Sequence, residues 1–274
     1  MRLYLKTYVK KLSNNSSSVF TGKGMAYGGS LMRPEATGYG TVYFAQEMLR
    51  RKQMGFEGRA VSISGSGNVA QYAADKALEL GAKVVTLSDS DGTMVYEDGM
   101  SAGMLQDVIA FKNVQRGRLK DFCKQHKVKF EAGKNPWHVP ADIALPCATQ
   151  NELDAKDAKH LIANGVVCVA EGANMPSTLD AVDAFLAAGT LYAPGKASNA
   201  GGVATSGLEM SQNAARLSWP VEEVDARLLQ IMQGIHAACL KYGQRADGSV
   251  SYIDGANVAG FVKIADAMLA QGIT

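Results

Sequence analysis

Residues Arg59-Ala-Val-Ser-Ile-Ser-Gly65-Ser-Gly67-Asn68-Val69-Ala70 pass from a β-rich run through two glycines into a helix-forming run. Asp89 closes the next β-rich run. This is the layout of a dinucleotide-binding βαβ unit. Gly65 permits the tight turn, and Gly67 lets a pyrophosphate approach the backbone. Ala70 stands where a third glycine is usual and still allows helix to pack closely on strand. A helix beginning near Asn68 offers unpaired N–H groups and a positive dipole end to an anion. The alternatives are a glycine turn that holds no nucleotide, or another cofactor of the same fold such as S-adenosylmethionine.

The rest of the chain continues the alternation. Strands are predicted at 59–64, 83–88, 142–145, 166–170 and 190–193, with short extra strands near 94–96 and 128–130. Helices are predicted at 68–80, 101–113, 117–126, 154–164 and 177–188. The fold class is α/β: a Rossmann-like, mostly parallel sheet with helices on both faces. Arg33-Pro34-Glu35 opens an earlier helix, since proline suits the first helical position and an acid the first turn. Gly38, Val42, Ala45 and Leu49 form its apolar stripe, and it ends near Gly55. Residues 1–30 read as a short helix and a loop. After Lys196 the β signal stops, and helices at 201–215, 219–242 and 256–270 follow, with Gly243 closing the second. The division is thus 1–30 as a lead-in, 31–200 as a nucleotide-binding domain and 201–274 as a helical segment packed on it.

Composition removes several functions. A net charge of +2 over 274 residues, with no basic run interleaved by aromatics, argues against nucleic acid. No apolar run reaches the length of a membrane span. The polar first residues do not resemble a signal peptide, so the chain is expected in the cytoplasm with Cys123, Cys147, Cys168 and Cys239 reduced. The four histidines have no ligand spacing, so no metal is expected.

Several segments resemble bacterial NADP-dependent glutamate dehydrogenases. They are Lys10-Lys-Leu-Ser-Asn-Asn, Val19-Phe-Thr-Gly-Lys-Gly24, Arg33-Pro-Glu-Ala-Thr-Gly-Tyr-Gly40 and Ser64-Gly-Ser-Gly-Asn-Val-Ala-Gln-Tyr72. Asp142-Ile-Ala-Leu-Pro-Cys-Ala-Thr-Gln-Asn-Glu152, Ala170-Glu-Gly-Ala-Asn-Met-Pro176 and Asn199-Ala-Gly-Gly-Val-Ala-Thr-Ser-Gly-Leu-Glu-Met210 match as well. The resemblance runs from about Val9 to the end. It implies oxidation of glutamate with NADP and water to 2-oxoglutarate, ammonia and NADPH, reversibly, in a homo-hexamer. Members of that family carry an N-terminal domain with the catalytic lysine and aspartate, and neither has a match here. The expectation is a truncated coenzyme portion, with no catalytic residue of its own and inactive alone. Rival readings are a non-catalytic dinucleotide-binding module and an amino-acid dehydrogenase of the leucine, phenylalanine or valine type.

Site residues follow from both sources. Asp89 stands where an acid binds the ribose 2′-hydroxyl of NAD. Ser88 and Ser90 flank it, and Lys112, Arg116 and Arg118 form a basic cluster able to neutralise a 2′-phosphate. A solvated helix face is the bland alternative for those cations; the resemblance, which matches Lys112 and Arg118 to this role, favours NADP over NAD. The resemblance puts Asn68 on the coenzyme; a helix N-cap is the bland alternative, and both can hold at once. Cys147, Ala148, Thr149 and Gln150 follow a strand end and so line the cleft where α/β ligands bind; Cys147 is read as a packed thiol. The resemblance puts Thr37 near the nicotinamide and Asn174 and Asn199 on its carboxamide. It also puts Val203 and Ser206 on the glutamate side chain. Glu171 is read as a structural carboxylate rather than a general base.

Overall fold

A computed structural model describes residues 17–272. The short helix expected at the start of the chain, and the segment Lys10–Asn15, lie outside the described residues. Seven strands form one sheet: β1 (Ala60–Ile63), β2 (Lys83–Asp89), β3 (Gly92–Val95), β4 (Lys129–Ala132), β5 (Ile143–Leu145), β6 (Cys168–Ala170) and β7 (Leu191–Ala193). Their order is β4-β3-β2-β1-β5-β6-β7. The five strands from β2 to β7 are parallel, and β3 and β4 add to the β2 edge in antiparallel pairing. The chain leaves β1 towards β2 on one side and later returns to β5 on the other. That reversal opens a crevice at the carboxyl ends of β1 and β5.

The helices are α1 (Ala36–Arg50), α2 (Asn68–Glu79), α3 (Ala102–Asn113), α4 (Leu119–His126), α5 (Ala155–Ala163), α6 (Leu179–Ala187), α7 (Gly195–Ser198), α8 (Gly201–Ala215), α9 (Val221–Gly243) and α10 (Tyr252–Gln271). On α2 the buried face is Ala70, Ala73, Ala74 and Ala77, all fully inaccessible. Alanine favours the helix and, being small, lets α2 lie close to the sheet.

Two expectations about α1 are corrected. It starts at Ala36, because Arg33-Pro34-Glu35 forms a preceding turn in which the Ala36 N–H reaches the Met32 carbonyl at 3.0 Å. It also buries far more than one stripe, including Gly40, Thr41, Tyr43, Phe44 and Met48. The sheet lies on one side, and α2, α8 and α9 cover the rest. A Cβ on Gly38 would meet the Ala73 backbone nitrogen at 2.5 Å, and one on Gly201 would meet the Ala36 carbonyl oxygen at 2.0 Å. Only glycine allows these helices to approach so closely.

Gly243 does not cap α9. It sits in the last turn, where a Cβ would meet the Ser251 carbonyl oxygen at 2.2 Å and the Gly255 Cα at 3.1 Å. Its role is the close crossing of α9 and α10. Helix α10 starts at Tyr252, four residues before the expected 256, because the Ser251 hydroxyl accepts the Asp254 N–H at 3.2 Å. The lead-in clasps α8 through a buried ion pair: Lys23 Nζ lies 2.6 Å from Glu209 Oε1, and the Gly22 N–H donates to Glu209 Oε2 at 2.8 Å.

His236 on α9 is 5% exposed, and its Nε2 lies 3.1 Å from the Tyr252 hydroxyl. Burial pushes its pKa down to about 4, against opposing help from Glu47. The unfolded chain therefore binds a proton that the native state refuses between about pH 6.5 and pH 4. Stability contributed by neutral His236 is complete above pH 6.5 and is lost as pH falls through that window. We expect His236→Gln to remove an acid-side loss of the order of 1–2 kcal/mol. Urea midpoints from pH 7 to pH 4 measure this, and parallel curves for the two proteins would refute it.

Candidate functional site

The crevice at the carboxyl ends of β1, β5 and β6 holds a cleft of about 690 Å³. Thr37, Val69, Ala148, Thr149, Asn174, Asn199, Val203 and Ser206 all line it, drawn from α1, α2, α8 and the loops after β5, β6 and β7.

The glycine turn does not itself line this cleft; it lies against Cys147 and Ala148, which do. Gly65 has φ 84°, and a Cβ there would meet the Cys147 carbonyl oxygen and Ala148 Cα, each at 3.1 Å. The Gly65 N–H donates to the Ser88 hydroxyl at 2.9 Å, and the Ser88 N–H donates to the Gly65 carbonyl at 3.1 Å. The turn is thereby pinned to the end of β2. Gly67 differs: it is exposed, has ordinary extended backbone at φ −87°, and a Cβ there would meet nothing within 4 Å. It is the N-cap of α2, with no capping side chain and no acid in the first helical turn. Asn68 is therefore the first helical residue and not the cap. This helix start has free N–H donors, a positive dipole end and open space above Gly67, which suits an anion.

The loop after β5 is held by Glu152, which the sequence reading did not single out. One carboxylate oxygen accepts from the Ser64 hydroxyl at 2.8 Å, the Ala148 N–H at 3.0 Å and the Thr149 N–H at 3.4 Å. Burial raises its pKa against those hydrogen bonds. Ser64 precedes the glycine turn, so Glu152 ties the turn to the loop. The Cys147 thiol is packed under Gly172, whose Cβ would lie 2.6 Å from the sulfur, and burial drives its pKa well up. A thiol so held is no nucleophile.

At the other end of the cleft Asn199 Nδ2 donates to Asn174 Oδ1 at 2.8 Å and lies 3.2 Å from the Ala173 carbonyl. The pair leaves the Asn199 oxygen as acceptor and the Asn174 amide as donor. Glu171 is structural: it is 3% exposed and accepts from the Tyr192 hydroxyl at 2.5 Å and the Gly195 N–H at 2.7 Å. Arg33, read from sequence only as part of a helix opening, also lines the cleft and donates from Nε to the Ser206 hydroxyl at 2.9 Å. Its proline neighbour drew attention to the helix start and away from the guanidinium.

Beyond Ala148 and Thr149 the crevice continues into a second hollow, with Ser88, Asp89 and Ser90 on one wall and Gly133–Pro136 on the other. Asp89 lines this hollow, and its carboxylate also has protein partners. Its Oδ2 accepts the Leu119 N–H at 2.9 Å and lies 3.5 Å from Lys112 Nζ, while its Oδ1 accepts the Asp91 N–H at 3.0 Å. The carboxylate thus braces the start of α4 and the turn after β2. Arg118 donates to the Ser90 hydroxyl at 2.8 Å. Lys112 and Arg118 thus converge on the end of β2, and Arg116 occupies a left-handed turn between them at φ 56°. Among the described residues no group of His, Cys, Asp or Glu side chains is placed to hold a metal, and no helix is long and apolar enough to cross a membrane. All four cysteines are free and buried.

The family model described as Glutamate/Leucine/Phenylalanine/Valine dehydrogenase matches residues 28–272. The chain is 60% identical over 270 residues to the NADP-specific glutamate dehydrogenase of Escherichia coli (strain K12), covering 98% of this chain and 60% of that protein. The NADP-specific glutamate dehydrogenase of Haemophilus influenzae is also 60% identical, over 271 residues, with 98% and 60% covered. The crystal structure of Plasmodium falciparum glutamate dehydrogenase superposes with a TM-score of 0.89 at 45% identity, over 93% of this chain and 55% of that one. The chain thus spans about 60% of the length of the curated relatives it matches.

Proposed function

The chain belongs to the Glutamate/Leucine/Phenylalanine/Valine dehydrogenase family, and from that premise we propose that it is the coenzyme-binding portion of an NADP-dependent glutamate dehydrogenase. The reaction converts glutamate, NADP and water to 2-oxoglutarate, ammonia and NADPH, and runs in both directions. NADP supplies the carbon that accepts or donates the hydride. The observation that carries the reading is the uncapped α2 start beneath open space at Gly67.

The residues divide the work along the crevice. Gly67, Asn68 and Val69 receive the diphosphate on backbone N–H groups, with Gly65 shaping the turn beneath them and its own N–H held by Ser88. Ser90, Lys112 and Arg118 attract the 2′-phosphate, with Asp89 holding that wall in place. Ala148 and Thr149 line the middle, and Thr37 stands at the nicotinamide end. The Asn199 oxygen and Asn174 amide match the donor and acceptor of a carboxamide, which orients the ring. Arg33, bonded to Ser206 and close to Val203 in the cleft lining, suits a substrate carboxylate.

The division at 1–30, 31–200 and 201–274 belongs to this proposal, as do a cytoplasmic location and a homo-hexamer for the complete protein. Phe261, Ile264 and Leu269 on α10 are 70%, 63% and 84% exposed, apolar surface of a kind that assembly covers. The proposal assigns NADPH binding to these residues and assigns none of them the lysine or carboxylate role in glutamate turnover. Titration of the purified chain with NADPH and NADH, followed by a glutamate-dependent reduction assay, tests this. Saturable binding that favours NADPH, without turnover, is expected; no binding of either, or turnover by pure material, would overturn it.

A further inference from the structure

We infer that Lys134, on the wall facing Ser88–Ser90, is a further determinant of NADP over NAD, closing on the 2′-phosphate from the side opposite Arg118. This rests on the coenzyme reading above and extends it to a residue outside the basic cluster.

The backbone around Lys134 is stitched to the strand-end turn that carries Asp89 and Ser90. The Gly133 N–H donates to the Asp91 carbonyl at 2.9 Å, and the buried Thr93 hydroxyl donates to the Lys134 carbonyl at 2.7 Å. Gly133 itself has φ 68°, and a Cβ on Gly92 would meet the Glu131 carbonyl oxygen at 2.3 Å. The two loops therefore move as one piece, and the Lys134 side chain roots at a set distance from the phosphate end of the crevice. Lys134 lines that hollow together with Ser90.

The charges there are unequally committed. Asp89 pairs with Lys112 at 3.5 Å, and Asp91 with Lys120 at 3.3 Å. Arg118 bonds a neutral hydroxyl, so its charge is available. Lys134 Nζ lies 3.0 Å from Glu131, and its side chain is 61% exposed. Glu131 also has Lys129 at 3.3 Å and His138 at 2.8 Å. Lys134, His138 and Lys129 share one carboxylate, and their hydrogen bonds hold its pKa down to about 2. Lys134 can leave Glu131 without stranding it, since the Lys129 ammonium and the His138 ring remain within hydrogen-bond or ion-pair reach. A long ammonium on a pinned backbone can then swing to a dianion seated at Ser90, whose hydroxyl Arg118 already holds.

The test is NADPH and NADH dissociation constants for wild type, Lys134→Gln and Lys134→Arg at two salt concentrations. Lys134→Gln is expected to weaken NADPH about fivefold, leave NADH within error and flatten the salt dependence of NADPH binding. Lys134→Arg should restore the preference. Wild type that prefers NADPH, with the same preference in Lys134→Gln, would overturn this inference and leave the coenzyme reading standing. Wild type that binds neither nucleotide would remove both.

Discussion

Gly67→Asp should hold or raise the stability of this protein while weakening NADPH binding by about 100-fold or more, near 2.7 kcal/mol. The two effects have opposite signs for separate reasons. Aspartate is among the best N-cap residues, and its charge suits the positive end of α2, so the fold gains about 0.5–1 kcal/mol. Backbone at φ −87° accepts any side chain, and no protein atom lies within 4 Å of the added Cβ. The same carboxylate then consumes the N–H groups and repels a diphosphate. Gly38→Ala is the control, since its Cβ would strike backbone at 2.5 Å and the cost falls on the fold. Thermal unfolding beside fluorescence titration reads both. Wild-type NADPH affinity in Gly67→Asp would mean that the diphosphate does not lie on this helix.

Lys23→Ala should cost about 3–5 kcal/mol, the penalty for leaving a buried carboxylate without its cation. Lys23 and Glu209 side chains are 1% and 0% exposed. Removing Glu209 should cost at least as much, because the Gly22 and Lys23 amides also rely on it, at 2.8 and 3.3 Å. Lys23→Met combined with Glu209→Gln should recover most of the loss, since the pair's attraction largely offsets the desolvation of two charges. Urea unfolding of Lys23→Met, Glu209→Gln and the double gives the coupling directly; additive losses would show that the pair is not the clasp. The consequence reaches the cleft, because Glu209 lies one turn below Ser206 on α8.

The strands, the glycine turn and most helices could be read from the residues, with boundaries shifted by at most four positions. These features depend on local rules: β-branched runs, alanine faces, and glycines between elements. What could not be read from the residues was partners. Asp89 lies where the ribose rule places an acid, yet its carboxylate is claimed by the Leu119 amide, thirty positions on. Arg33 stood beside a helix-starting proline, and its cleft-facing role came from Ser206 on a helix 173 residues away. Glu152 was visible as a letter in a matched segment but not as the group that gathers Ser64, Ala148 and Thr149.

What the residues determined alone was the βαβ start, the alternating α/β plan and the kind of ligand such a turn accepts, because each depends on backbone freedom within a few positions. What the tertiary structure decided was which polar groups remain free for a ligand. Donors and charges remote in the chain compete for the same carboxylates and hydroxyls, and that competition is settled only when the helices pack. Helix α1 shows the same limit for apolar groups: its stripe was legible, but its nearly complete burial required α8 and α9 to close over it through glycines at both faces.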